Sequence, residues 1–145
     1  MSTIVLGYDG SGCADCALRA AVDLCKRLGD RLVIAYAYAP PVQSLGEELA
    51  EHRRALQEIG SELTGNALER ARAEGVEADT ELVAERPAQG LSHLARLHDA
   101  RMIVVGTEGE SPLKSAILGS TPHKLLQLSE HPVLVVPPDQ GDRGS

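Results

Sequence analysis

Two short glycine turns in the second half of the chain have the residue types and spacing to do chemistry. Two residues separate Gly106 from Gly109, and nine separate Gly109 from Gly119 and Ser120, so the chain reads G-x2-G-x9-G-S. Glycine lets backbone N–H groups approach an anion, and a helix opening at the second turn adds free donors and the positive end of its dipole. Both features suit phosphate oxygens. Taken singly, each half has a plainer role. Gly106 and Gly109 can simply turn the chain, while Gly119 and Ser120 lead into a helix capped by Thr121 with Pro122 at its first position. Their combination is what points to a ligand.

Other reactive residues give weaker signals. Cys13 and Cys16 form a C-x-x-C, a spacing that near a helix start can support redox exchange or metal binding. The motif lacks the aromatic-and-proline setting of redox enzymes, and no second C-x-x-C completes a four-thiolate metal site. Packing thiols are therefore expected, with Cys25 in the core. The 5 histidines contain no H-x3-H pair, and His93 and His98 lie about 140° apart around a helix, which argues against zinc. No nucleophile, base and orienting group are arranged in sequence, so no catalytic residue is assigned.

The elements that must hold these residues follow from apolar patterning. Runs at 3–6, 32–38, 102–105 and 133–136 are rich in Val, Ile, Leu or Tyr and read as buried strands. The stretch 76–82 alternates small or apolar with acidic residues and reads as a strand with one wet face near a sheet edge. Helical patterns occupy 15–28, a long segment within 45–73, 88–98 and 122–128. In the long one Leu45, Leu49, Leu56, Ile59 and Leu63 recur as one apolar stripe, weakened by Gly60 and Gly65 at about 1 kcal/mol each. Strands alternating with helices predict an α/β fold, a doubly wound parallel sheet of five strands with helices on both faces. Ligands in such a sheet bind at the carboxyl ends of its strands, which is where Asp9 and the glycines fall. Asp9 has an alternative, local role in capping the next turn.

The chain resembles the universal stress protein family, specifically its ATP-binding branch. The likeness is carried by the G-x2-G-x9-G-S spacing, by Ile4-Val5-Leu6-Gly7-Tyr8-Asp9-Gly10-Ser11, by the run 100–107 and by His131-Pro132-Val133-Leu134-Val135-Val136-Pro137. The resemblance implies an adenine nucleotide alpha hydrolase-like sheet of order 3-2-1-4-5 over residues 1–138, followed by a disordered tail, 139–145. It implies ATP, AMP or ADP as ligand, with Mg as a companion cation. Gly106, Gly109, Gly119, Ser120 and Thr121 would surround the phosphates and ribose, Asp9 would stand at the mouth, and Ala37 and Val105 would meet adenine or belong to plain core. It also implies a homodimer, for which strand 133–136 (Val133, Leu134, Val135 and Val136) at a sheet edge gives a physical motive. The chain departs from its relatives in Glu108 and Glu110, which flank Gly109 and would repel a triphosphate unless a cation intervenes.

Composition narrows the classes of function. The 145 residues suit one domain, and a formal charge of −7 with only 3 Tyr as aromatics argues against nucleic acid as a partner. No apolar run approaches the ~20 residues a membrane helix needs, and the start carries no secretion signal, so a cytoplasmic protein with no membrane partner is expected. Its 3 cysteines, an odd number, are then expected as free thiols. Three roles stay open: a regulatory nucleotide-binding protein of the stress response, a slow ATPase, and a nucleotide-free dimeric interaction module.

Overall fold

The computed structural model describes residues 1–39, 46–107 and 118–139. Five strands alternate with four helices: β1 (Thr3–Gly7), α1 (Gly12–Leu28), β2 (Arg31–Ala37), α2 (Glu47–Ala73), β3 (Ala78–Val83), α3 (Pro87–Leu97), β4 (Met102–Gly106), α4 (Ser120–Leu128) and β5 (Val133–Val136). Every pairing is parallel and the order is β3-β2-β1-β4-β5, as the sequence and the resemblance predicted. β1 sits in the middle, and its Ile4, Val5 and Leu6 are fully buried because both faces of the sheet are covered.

The layers follow from handedness. A parallel crossover is right-handed, so the direction in which the chain steps across the sheet decides the face its helix covers. The steps β1 to β2 and β2 to β3 run one way, and α1 and α2 share one face with a core built on Ile4, Leu6, Leu18, Leu32 and Ile34. The steps β3 to β4 and β4 to β5 run the other way. Accordingly α3 and α4 take the opposite face, over Val5, Val33, Leu91, Ile103 and Leu125. The direction reverses between β1 and β4, and there the carboxyl end of the sheet opens.

Local signals set the ends of these helices. Ser11 caps α1, its hydroxyl accepting from the Ala14 N–H at 3.1 Å, so the helix begins earlier than apolar spacing implied. At the other end Gly29 takes the left-handed conformation, φ 71°, and returns its N–H to the Cys25 carbonyl. β3 is an edge strand as expected, but the neighbouring Asp79 and Thr80 are both exposed, so it is not wet on one face alone.

α2 departs from expectation at Ile59 and in how closely it approaches the sheet. Its core-facing residues are Gly60, Thr64, Ala67 and Ala71, whereas Ile59, assigned to the apolar stripe, is 49% exposed. Leu45 lies outside the described residues. The cause is close approach: a Cβ on Gly60 would stand 2.3 Å from Tyr36 Cδ1 and 3.0 Å from Leu82 Cδ2, so the helix rests directly on the β2 aromatic ring. Leu49, Leu56 and Leu63 of the expected stripe are half-buried, with Leu63 packed on the core, and the small residues make the closest approach.

At the amino ends of the strands Asp30 acts as a tie. Its side chain is 1% exposed and accepts from Arg101 Nε at 2.5 Å, Arg101 Nη2 at 3.2 Å and the Ser2 N–H at 3.1 Å. The Arg101 hydrogen bonds hold the Asp30 carboxyl below its ordinary range despite burial. A depressed carboxyl stabilises the fold above its unfolded value of about 3.9, and that contribution is lost as pH falls through the folded value. Asp30→Asn should therefore lower stability at pH 7 and flatten its decline below about pH 4, read by urea denaturation across pH. A second comparison tests the α2 contact. Gly65 has open space around its would-be Cβ, so Gly65→Ala should stabilise by about 0.5–1 kcal/mol, while Gly60→Ala should destabilise by about 1–3 kcal/mol.

Candidate functional site

A cleft of about 130 Å³ opens at the point where the sheet reverses direction, against the ~10–15 Å³ that one water needs. On one side β2 and the first turns of α3 supply Ala35, Ala37, Pro87 and Leu91; on the other β4 and α4 supply Val105, Gly106, Gly119, Ser120 and Thr121. Gly7, Tyr8 and Asp9, at the end of β1, lie between them. The structure thus brings Asp9, Ala37, Val105, Gly106, Gly119, Ser120 and Thr121 to one cleft, while Gly109 lies outside the described residues. Glu108, Glu110 and the loop to 117 lie outside them as well.

The two glycine turns meet through the backbone. Thr107, directly after Gly106, donates its N–H to the Val136 carbonyl at 3.1 Å and accepts from the Gly119 N–H at 2.8 Å. The Gly119 N–H is therefore spent on the protein. α4 starts at Ser120 with Gly119 as its cap residue in extended backbone (φ −60°, ψ 165°), which corrects the reading of Thr121 as cap, and no side chain caps the helix. Pro122 has no N–H, and the His123 N–H is given to the Gly119 carbonyl at 3.1 Å. Among the described residues this leaves the Ser120 and Thr121 N–H groups as the uncommitted donors of the first turn.

Gly106 has a second task, invisible in sequence. A Cβ there would lie 2.8 Å from both the carbonyl oxygen and the Cβ of Cys13, so the first turn of α1 packs directly on the end of β4. Asp9 shows both of its expected features: it lines the cleft, and its Oδ1 accepts the Ser11 N–H at 3.0 Å to shape the turn into α1. Tyr8 donates to Asp15 Oδ1 at 2.6 Å, and Arg70 of α2 reaches the same oxygen at 2.8 Å. Burial, reinforced by that bond, pushes the Tyr8 hydroxyl up to about 12, so it remains a donor at neutral pH. The end of β1 is thereby tied to both helices of its face.

Sequence reasoning assigned neither Pro87 nor Leu91 to the site. Their signal was the proline opening α3, because a helix following a strand in this fold begins at the carboxyl end of the sheet. His93 and His98 turn to separate carboxylates, Glu85 at 2.9 Å and Glu81 at 2.6 Å. Among the described residues no group of three or more His, Cys, Asp or Glu is placed to hold a metal ion. Nor is any described helix long and apolar enough to cross a membrane.

A parallel sheet of order 3-2-1-4-5 with a glycine-lined crevice at its reversal defines a doubly wound α/β domain. The Universal stress protein family profile matches residues 1–137, and the chain belongs to that family. It is 33% identical over 143 residues to the universal stress protein YxiE of Bacillus subtilis, covering 92% of this chain and 97% of that one. A universal stress protein of Thermus aquaticus is 33% identical over 142 residues, with 92% and 97% covered. Among solved structures, a universal stress protein in complex with cAMP superposes with a TM-score of 0.70 at 29% identity, covering 95% of this chain and 98% of that chain.

The contact at Gly106 makes a prediction. Gly106→Ala should destabilise the fold by about 1–3 kcal/mol, because buried backbone cannot yield to the new methyl as a flexible side chain can. Gly12→Ala, where a Cβ meets open space, should leave the thermal midpoint unchanged or slightly raised.

Proposed function

We propose that this chain is a regulatory adenine-nucleotide-binding protein of the ATP-binding branch of its family, acting in the stress response. The observation that carries the reading is the Gly119-to-Thr107 hydrogen bond, which holds the uncapped start of α4 against a cleft whose opposite wall is apolar. The base lies against Ala37 and Val105, beside Leu91. The phosphates lie over Gly106, Gly109, Gly119, Ser120 and Thr121, with the Ser120 and Thr121 N–H groups aimed at the anion. That a relative 29% identical was solved with cAMP supports an adenine nucleotide here.

The chemistry of the donors bears on which nucleotide. The described cleft contributes two backbone N–H groups and one carboxylate, and no Lys, Arg or His lines it. In the sequence, Glu108, Glu110 and Lys114 follow Gly106, outside the described residues. A triphosphate therefore needs a divalent cation to share its charge, and Asp9 Oδ2, not engaged by the Ser11 N–H, is the carboxylate oxygen that fits one. AMP and ADP need less such help. Binding alone suffices for a regulator, with the nucleotide ordering the crevice.

The same reading pairs two copies through β5. This strand closes one edge of the sheet, Val133 and Val135 pack inward, and Leu134 remains 38% exposed. An apolar edge of this kind is satisfied by a strand from a second chain.

Ser120→Pro tests the site without breaking the helix, because proline suits the first helical position and the extended Gly119 accepts a following proline. It removes one donor. By calorimetric titration with AMP, ADP, and ATP with magnesium, the native chain should bind and Ser120→Pro should bind about ten- to a hundredfold more weakly at an unchanged thermal midpoint. No heat from any nucleotide with the native chain would leave the interaction-module reading in its place.

A further inference from the structure

Cys13 and Cys16 are the reactive pair that nucleotide binding does not use. Both lie in the opening turns of α1, three residues apart and so on one side of the helix. Cys13 is partly exposed and packs against Gly106, which lines the cleft: its Sγ is 3.9 Å from Thr107 Oγ1, and its backbone is the surface on which Gly106 rests. Cys16 is buried, and Arg19 Nη2 donates to its Sγ at 3.3 Å. Arg19 is itself held by Asp139 at 3.4 Å. The guanidinium thus presents a positive charge to a sulfur that attacks or leaves as an anion. The third thiol is set apart: Cys25 is 2% exposed, and burial pushes it up to about 12, so it stays protonated.

We propose that Cys13 and Cys16 are a redox-active dithiol, closed by peroxide into an intramolecular disulfide that displaces the Gly106–Thr107 turn. The steps balance. The Cys13 thiolate attacks one peroxide oxygen, the O–O bond breaks, and a sulfenic acid forms as hydroxide leaves and takes up a proton. The Cys16 thiolate then attacks the Cys13 sulfur, the S–O bond breaks, and a second water departs. Two thiols lose two electrons and two protons, and one hydrogen peroxide becomes two waters. A dithiol reductant reverses the reaction by exchange.

Geometry links this bond to the cleft. Side chains three apart on a helix have Cβ atoms about 5–6 Å apart, whereas a disulfide needs about 3.5–4.5 Å. Cys16 is buried and bonded by Arg19, whereas Cys13 is partly exposed, so closure draws Cys13 toward Cys16 and takes its carbonyl and Cβ away from Gly106. Thr107 follows Gly106, and the Thr107 carbonyl holds Gly119. Oxidation therefore loosens the junction on which the proposed nucleotide site rests, while bridge formation itself does not depend on that reading.

The test uses the native chain and hydrogen peroxide, with and without later reduction. Peptide mass mapping should show one bridge between Cys13 and Cys16, lighter by two hydrogens, with Cys25 the one remaining titratable thiol. Amide hydrogen exchange at Thr107 and Gly119 should accelerate about fivefold or more in the oxidised form and recover on reduction. In Cys13→Ser, which replaces a partly exposed thiol with a similar side chain, peroxide should change neither. Three surviving thiols, a bridge between two copies, or a Cys13–Cys16 bridge that leaves Thr107 and Gly119 exchange unaltered would each overturn the proposal. These readouts need no nucleotide, so their failure is separate from a failure of nucleotide binding.

Discussion

The arrangement depends on one topological constraint: right-handed crossovers on a parallel sheet force helices to opposite faces when the chain reverses its direction of travel. Here the reversal falls between β1 and β4. α1 leaves β1 over one face and α4 leaves β4 over the other, so neither of these helices roofs the gap between the ends of those strands. A cleft at that position is a consequence of strand order before any side chain is specified. Residues then decide what the gap can hold. Apolar groups from β2 and α3 line one wall, and glycines and an uncapped helix start form the other.

Small residues hold the surrounding layers close. Gly60 lets α2 sit on the Tyr36 ring, and Gly106 lets α1 sit on the end of β4. In both places the missing methyl brings a helix axis nearer the sheet than an alanine would permit. At the far end of the strands, Asp30 collects Arg101 and the Ser2 N–H. The sheet is tied at its amino ends by charge and left open at its carboxyl ends. Tension between packing and opening is sharpest at Gly106, which serves both the α1 contact and the cleft wall. Cys13 is thereby in direct contact with a residue of the cleft wall.

Much of this was legible in the sequence, for identifiable reasons. Strands buried on both faces, such as β1 and β4, are continuous apolar runs with clear limits, and glycine and proline marked most turns. The cleft residues were legible because a glycine spacing and a strand-end aspartate keep their meaning without coordinates. The close approach of α2 was not, because it is made by Gly60, Thr64, Ala67 and Ala71, which carry little hydrophobic signal, while Ile59, counted with the leucine stripe, points to solvent. Nor was the cap of α4: whether Gly119 or Thr121 leads the helix turns on a hydrogen bond to Thr107, twelve residues earlier in the chain. Contacts between distant segments, Cys13 with Gly106 above all, have no local pattern to read.

The central claim is that the first-turn amides of α4 and the turn at Gly106 and Thr107 enclose one nucleotide phosphate. Amide-resolved NMR during titration with AMP tests it most directly. The account predicts saturable shifts at Ser120 and Thr121, smaller ones at Gly106 and Thr107, and none at Asp30 or Arg101 on the opposite end of the sheet. Shifts confined to other surfaces, or spectra indifferent to AMP, ADP and magnesium ATP alike, would contradict it.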